Sequence, residues 1–390
     1  MVSKTLTSML PPSSSSDAVV IVGAGFGGLF TALAIEQRLP GSSIVLIEPN
    51  PRFIFQPLLY ELLSEEMQSW EVAPPNTALL NGRGICWLQD EVLTINRNDR
   101  TLTTRDGQRI SWSQLVIATG SVPNDFGIPG VRDYSSSFRT MEDVQRIRQW
   151  VRDLRQTRCD DAALVIAGAG PTGVELACKL ADLLDGSARV HLVEAGEGIL
   201  PTCAAFNREQ AEAALQRREV ILHLNSAVSR VLPDRVELAS GSEILHNGLI
   251  WTAGSRPIIP TIEPAPALER GRLVIDSDLR LQGTDDLFAI GDASICSNSP
   301  WPATAQVAMQ QGEGVSKAIA ALKRSETPKP FQFRNLGEML SLGIGDATVT
   351  GMGITLSGPL AFQLRRAAYL TRLPGLSLGV RSAGAWLASR

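Results

Sequence analysis

Apolar positions along this chain fall into short runs, and one ordering of them occurs twice. Ala18-Val19-Val20-Ile21-Val22 is an unbroken apolar stretch rich in β-branched residues, the pattern of a strand buried on both faces. Gly23-Ala24-Gly25-Phe26-Gly27-Gly28 follows at once, then Leu29-Phe30-Thr31-Ala32-Leu33-Ala34-Ile35, which reads as a helix. Ile44-Val45-Leu46-Ile47 is the next strand and ends at Glu48, about twenty residues past Gly28. The order returns in Ala163-Leu164-Val165-Ile166-Ala167, in the turn Gly168-Ala169-Gly170-Pro171-Thr172-Gly173, and in a helix from Val174 to about Leu184. Val190-His191-Leu192-Val193 then ends at Glu194. Between the copies, Val144, Ile147, Val151 and Leu154 recur at helical spacing, predicting an amphipathic helix that joins two domains.

Each repeat has the chemistry of a dinucleotide site. Gly23 and Gly168 allow the tight turn, Gly25 and Gly170 let a pyrophosphate approach the backbone, and Gly28 and Gly173 let helix and strand pack closely. The helix start offers N–H groups and a positive dipole end to the phosphates. Glu48 and Glu194, at the strand ends, are placed to accept the hydroxyls of an adenosine ribose. A lone glycine turn of this kind is weak evidence, because such turns often serve packing alone; the preceding strand, the helix and the acidic strand end make it specific. Two such folds imply two bound nucleotides, and electron transfer between a flavin and a nicotinamide is the chemistry that needs both.

Composition narrows the field. The 390 residues are 44% hydrophobic and 19% charged, an ordinary globular balance. A net charge of −4, with no basic run, argues against nucleic acid as a partner. Five cysteines show no CxxC or CxxxxC spacing, which excludes a disulfide framework, a zinc site or a local dithiol centre, and no metal site is expected. Met1 to Ser16, with their Pro-Pro-Ser-Ser-Ser-Ser run, are expected to be a flexible leader. No window reaches the ~18 to 20 consecutive apolar residues of a membrane-spanning helix.

With the two glycine turns, three further motifs make the chain resemble the two-dinucleotide-binding-domain flavoproteins. Leu115-Val116-Ile117-Ala118-Thr119-Gly120 and Trp251-Thr252-Ala253-Gly254 resemble the family's strand-to-turn segments at entry to and exit from the second nucleotide domain. Leu287-Phe288-Ala289-Ile290-Gly291-Asp292 resembles the segment whose aspartate binds the flavin ribityl chain. The resemblance implies FAD on the first turn and NADH or NADPH on the second, with Ala118, Thr119, Gly120, Gly254, Gly291 and Asp292 among the cofactor-binding residues. Disulfide reductases of this superfamily carry a CxxxxC pair where this chain reads Phe53-Ile54-Phe55-Gln56-Pro57-Leu58-Leu59-Tyr60-Glu61-Leu62, without cysteine. Sulfide:quinone reductases carry a late cysteine, and none follows Cys296. The stretch from Phe55 to Leu62, and Pro302 to Gly312, resemble type II NAD(P)H:quinone oxidoreductases. Tyr60 to Ser64 followed by Trp70 to Pro74 is most similar to their cyanobacterial and plastid demethylphylloquinone reductase branch.

That resemblance supplies the candidate catalytic residues. Glu175 corresponds to a family glutamate near the nicotinamide; the plainer role is complementing the helix dipole, and the two are compatible. Gln306 and Gln310, one turn apart, match the family's quinone-site glutamines; alternatively they continue a solvated helix face with Glu313 and Lys317. Ala308, Gly312, Val315, Ile319 and Leu322 form the opposite, packing stripe of a helix starting near Ala303. Glu194 argues for NADH, since a carboxylate repels a 2′-phosphate, whereas the branch is associated with NADPH; the reading here is NADH. No residue stands out by position as proton donor to the quinone.

From Leu360 the chain holds Arg365, Arg366, Arg372, Arg381 and Arg390 and no acidic residue, so the modest net charge conceals a basic tail. On a helical projection Leu360, Leu364, Ala367 and Ala368 form one apolar stripe, and Phe362, Tyr369 and Leu373 another, flanked by Arg365, Arg366 and Arg372. The expectation is a surface-bound amphipathic segment with guanidinium groups at anionic headgroups, the alternative an ordinary helix at the domain edge. The fold class expected is α/β, with two Rossmann-like domains and this membrane-associating segment. The boundaries expected are 1–16 leader, 17–125 first part of the FAD domain, 126–256 NAD(P)H domain, 257–330 second part of the FAD domain with the quinone-site helix, and 331–390 the C-terminal segment. The function implied is NAD(P)H oxidation through FAD with electrons passed to a membrane prenylquinone of demethylphylloquinone, naphthoquinone or plastoquinone type, without proton pumping. Peripheral attachment on the cytoplasmic or stromal side of a cyanobacterial thylakoid or plasma membrane goes with it, and a homodimer is left open. The alternatives are a soluble NAD(P)H reductase serving a protein such as a ferredoxin, and a non-catalytic redox-sensing flavoprotein.

Overall fold

The computed structural model describes residues 17–157, 159 and 161–388; the leader at Met1 to Ser16 and the terminal Arg390 lie outside the described residues. The chain forms two compact units, each gathered from three stretches. The first runs to Phe53, resumes over Pro74–Val122 and ends with Arg256–Arg334, while the second takes Ile54–Ala73, Pro123–Ser255 and Asn335 onward.

A five-stranded parallel sheet forms the heart of the first unit, in the order Leu287–Ala289, Gln114–Ile117, Val19–Val22, Ile44–Ile47, Ile85–Leu88. All of Val19–Val22 and Ile44–Ile47 is buried, as strands covered on both faces require. The helix Phe26–Arg38 follows the first strand, and Ala305–Lys323 packs along it. Gly312 makes that approach feasible, because a Cβ there would lie 2.8 Å from Thr31 Oγ1. A second sheet joins Thr261–Glu263, Val92–Asn96, Thr101–Thr104 and Arg109–Ser111.

The second unit repeats the design with a parallel sheet ordered Ile221–His223, Arg189–Val193, Ala163–Ala167, Gly248–Trp251, Ser135–Ser136. In both units the strand before the glycine turn has its successor on one side and a much later strand on the other. This order makes loops diverge at the strand C-terminal ends, where open α/β sheets bind ligands. The amphipathic helix forms over Met141–Thr157 with Val144, Ile147, Val151 and Leu154 buried, and it lies wholly within this unit.

The C-terminal stretch differs from the sequence expectation. It opens with a three-stranded antiparallel sheet, Glu338–Ser341, Ala347–Gly351 and Ile354–Ser357, which the sequence reading missed because the strands are short and joined by tight glycine-containing turns. The helix Pro359–Leu370 packs on this sheet through Ala361 and Phe362 against Ala347 and Val349. Phe362, Tyr369 and Leu373 are buried, whereas Leu360 is 66% exposed. Arg365 corrects the expectation most sharply: its side chain is 1% exposed and ion-paired with Glu61, so it is no headgroup arm. A helical projection assigns arginine to the polar face; it cannot see a carboxylate delivered by a distant part of the chain.

Candidate active site

The two glycine turns superimpose in chemistry as well as in sequence. Gly23 has φ +96 and Gly168 φ +103, the left-handed region that a side chain strains. A Cβ on Gly23 would lie 2.5 Å from Ala118 O, and one on Gly168 2.8 Å from Ala253 N. Thus the segments 115–120 and 251–254 press directly on the turns. Gly28 and Gly173 leave room for the turn's own carbonyl, at 1.7 Å and 1.8 Å from the missing Cβ. At Gly25 and Gly170, by contrast, a Cβ would meet nothing within 4 Å. These two glycines face open space at helix starts that have no side-chain cap and no acidic residue in the first turn. Both cradles therefore fit a pyrophosphate approaching a positive dipole end.

The strand-end glutamates match in the same way. Glu48 Oε2 accepts from Ala24 N at 2.8 Å while Oε1 accepts from Asn50 N at 2.8 Å. Glu194 Oε2 accepts from Ala169 N at 2.7 Å and Oε1 from Gly196 N at 2.8 Å. Each carboxylate is thereby held beside its glycine turn, in the position a ribose diol requires.

Around the first turn, Thr119 Oγ1 donates to Ile258 O, and Ile258 N donates to Gly120 O at 3.0 Å, clasping the Ala118-Thr119-Gly120 bend. Asp292 Oδ2 accepts from Ser121 Oγ at 2.6 Å, and Gly291, with φ +66, donates its N–H to Gln311 Oε1 at 2.7 Å. Gln311, which the sequence reading passed over, is buried and fixes the Gly291-Asp292 turn. Its neighbour Gln310 has both ends of its amide on Arg334, donating to the carbonyl at 2.9 Å and accepting from the N–H at 3.0 Å. Gln306 sits half-buried one turn earlier on the same helix. Around the second turn, Thr252 Oγ1 lies 2.9 Å from both Ala167 O and Gly168 O, and the exposed Phe126 ring covers Gly254.

Glu175 is brought into a buried cluster that its sequence position did not announce. It lies beyond the first turn of the helix Pro171–Leu184, which contains no acidic residue, so dipole complementation is not its role. Glu175 Oε1 accepts from Ser341 N at 2.6 Å, and Tyr60 also hydrogen-bonds its carboxylate. Arg365 Nη2 stands 3.6 Å from Glu175 Oε1 and donates to Pro57 O at 2.7 Å, while Nη1 pairs with Glu61. The Arg365 guanidinium also lies over the Tyr369 ring at 4.9 Å. Burial raises the Glu175 carboxyl to about 7, with Arg365 pulling the other way and Glu61 adding to the rise. Burial, then Glu175, pushes the Tyr60 phenol well above its ordinary value. A carboxyl titrating near neutrality, hydrogen-bonded to a phenol and shielded from water, can hold or release a proton at working pH. Tyr60 and Glu61 were visible in the sequence as part of a family-like segment, but nothing local tied them to Glu175.

The model of the pyridine nucleotide-disulphide oxidoreductase family matches residues 17–312. The chain belongs to that family. Within it, the chain is 35% identical over 394 residues to the demethylphylloquinone reductase NdbB of Synechocystis, spanning 95% of this chain and 97% of that protein. It is 32% identical to the alternative NAD(P)H-ubiquinone oxidoreductase C1 of Arabidopsis thaliana, over 93% of this chain and 79% of that protein. The fold is that of NDH2 from Plasmodium falciparum, solved in complex with NADH, with a TM-score of 0.85 at 17% identity, covering 95% of this chain and 98% of that one. Despite the family's name, all five cysteines here are free. The chain is also 27% identical to the type II NADH:quinone oxidoreductase of Staphylococcus aureus, over 91% of this chain and 93% of that protein, in line with the sequence resemblance.

Proposed function

We propose that this chain is a flavin-dependent oxidoreductase that takes a hydride from NAD(P)H and passes electrons to a quinone. The observation that carries the reading is the repeated cradle, an open glycine at an uncapped helix start beside a glutamate held at the strand end, in a chain 35% identical to a demethylphylloquinone reductase. Bound FAD supplies the hydride acceptor and the electron exit. The first cradle, with Gly23, Gly25, Gly28, Glu48, Ala118, Thr119, Gly120, Gly291 and Asp292, holds it. The second, with Gly168, Gly170, Gly173, Glu194 and Gly254, holds the nicotinamide nucleotide. Hydride transfer needs no protein acid, so the cradles serve by fixing both partners.

Quinone reduction takes up protons, and Glu175 with Tyr60 holds one at the Glu175 carboxyl. Gln306 and Gln310 contribute the quinone contact, Gln310 with its amide oriented by the Arg334 backbone. NADH is the favoured donor on account of Glu194, and a prenylated naphthoquinone the favoured acceptor on account of the Synechocystis relative. A ferredoxin acceptor is not favoured, because the named relatives are quinone reductases.

A lipid-soluble acceptor calls for a membrane surface. Among the described residues no helix is long and apolar enough to cross a membrane. Met352 is 72% exposed, Leu360 66% and Val380 70%, all in the C-terminal stretch, and this apolar set supports peripheral attachment. The side proposed is the cytoplasmic or stromal one, on the thylakoid or plasma membrane of a cyanobacterium. Purified protein should retain FAD and oxidise NADH faster when a short-chain naphthoquinone is added. A flavoprotein indifferent to quinones overturns the reading.

A further inference from the structure

Three separate stretches of the second unit converge on one buried carboxyl. Glu175 comes from the helix behind the second glycine turn, Glu61 from the short helix Leu59–Leu63, and Arg365 from the C-terminal helix Pro359–Leu370. Both Arg365 and Glu61 have side chains 1% exposed. A buried ion pair of this kind is poor value as a stabiliser, since removing two charges from water costs about as much as their attraction returns. The pair is also incompletely satisfied: Arg365 Nε and Glu61 Oε2 are buried without hydrogen-bond partners. Its geometry is more informative than its energy, because Nη1 faces Glu61 while Nη2 bridges Pro57 O at 2.7 Å toward Glu175 Oε1 at 3.6 Å.

We propose that Arg365 is a positioning residue for Glu175: the C-terminal helix places a fixed positive charge beside the carboxylate, and Glu61 sets how much of that charge Glu175 feels. This inference rests on the reading of Glu175 as the proton-holding group. The thiols of Cys178, on the same helix, and Cys203 also feel the Glu175 charge, and burial pushes both up so that they stay neutral. Tyr60 donates to the carboxylate, the Ser341 N–H does the same from the C-terminal sheet, and Tyr369 lies under the guanidinium. Lys179, one helical turn beyond Glu175, is spent on Glu66 at 2.5 Å. Among the described residues, Arg365 is the main source of positive charge at Glu175, and Glu61 opposes it with a second carboxylate.

Opposite signs make the inference testable. In Arg365→Gln the group that must be protonated loses its cation, so the alkaline limb of the quinone-reduction rate should move up by about one pH unit or more. In Glu61→Gln the cation is no longer shared, and the limb should move down. Arg365→Gln with Glu61→Gln together should return it toward the parental position, and this neutral pair leaves no stranded buried charge if a single variant fails to fold. An infrared pH titration of each FAD-containing protein, without nucleotide or quinone, should show the protonated-carboxyl band that Glu175→Gln removes shifting by the same amounts. General damage would lower the rate at every pH without moving limb or band. Shifts of the same sign in both single variants, or no shift in either while Glu175→Gln abolishes the limb, overturn the role of Arg365 and leave that of Glu175 standing. If Glu175→Gln leaves both limb and band in place, the proton-holding reading itself fails, and this inference with it.

Discussion

The carboxylate of Glu194 accepts a hydrogen bond from Ala169 N at 2.7 Å, so the acidic end of one strand is locked to the second residue of the glycine turn before it. A carboxylate fixed there repels a 2′-phosphate and welcomes a ribose diol. We expect kcat/KM for NADH to exceed that for NADPH by about tenfold or more, about 1.4 kcal/mol. Glu194→Gln should shrink that ratio while raising KM for NADH, because the turn loses its anchor. A parental enzyme that prefers NADPH would show that Glu194 does not govern the choice.

The glycines of the first cradle separate by role. Gly25→Ala places its methyl in open space and should leave the stability of the apoprotein within about 0.5 kcal/mol while lowering FAD retention. Gly28→Ala drives a methyl into the Gly23 carbonyl and should destabilise the fold by about 1–3 kcal/mol or more. Thermal unfolding with and without FAD distinguishes the two; equal losses in apoprotein stability would contradict the assignment of Gly25 to the ligand.

Much of this was legible locally. A glycine turn, its flanking strand and helix and its acidic strand end lie within a few dozen residues, so sequence spacing suffices to recognise them. The Glu175 cluster was not, because Arg365 and Glu61 are 304 residues apart in the chain. The helix with Gln306 and Gln310 was half legible. Its packing stripe follows from periodicity, but the burial of Gln311 follows from an unpaired N–H at Gly291 that only the folded turn presents.

Glu175 also gives stability a pH dependence. Its folded value of about 7 lies above the ordinary 4.5, so its contribution to stability is fully present below 4.5 and is lost as pH rises through about 7. Relative to the parent, Glu175→Gln should therefore gain up to about 3 kcal/mol between pH 4.5 and pH 8. Chemical denaturation at the two pH values measures the difference. A constant offset across that range would mean that Glu175 is ionised throughout.

Attachment to a bilayer should depend on the exposed apolar residues of the C-terminal stretch. Met352→Asp with Leu360→Asp should weaken co-sedimentation with anionic liposomes about tenfold while FAD content stays the same. Deleting everything from Leu360 is a poorer test, because it also removes Arg365 from the Glu175 cluster. Undiminished sedimentation of the double variant would place the lipid contact elsewhere.

Electrons enter from a nicotinamide and leave to a quinone. Anaerobic stopped-flow spectroscopy reads both halves on the flavin absorbance of the holoenzyme. NADH should bleach the flavin, and a short-chain naphthoquinone mixed with the reduced enzyme should restore the oxidised spectrum at a rate matching turnover. A flavin that NADH reduces but that naphthoquinones, benzoquinones and plastoquinone analogues all leave reduced would contradict it.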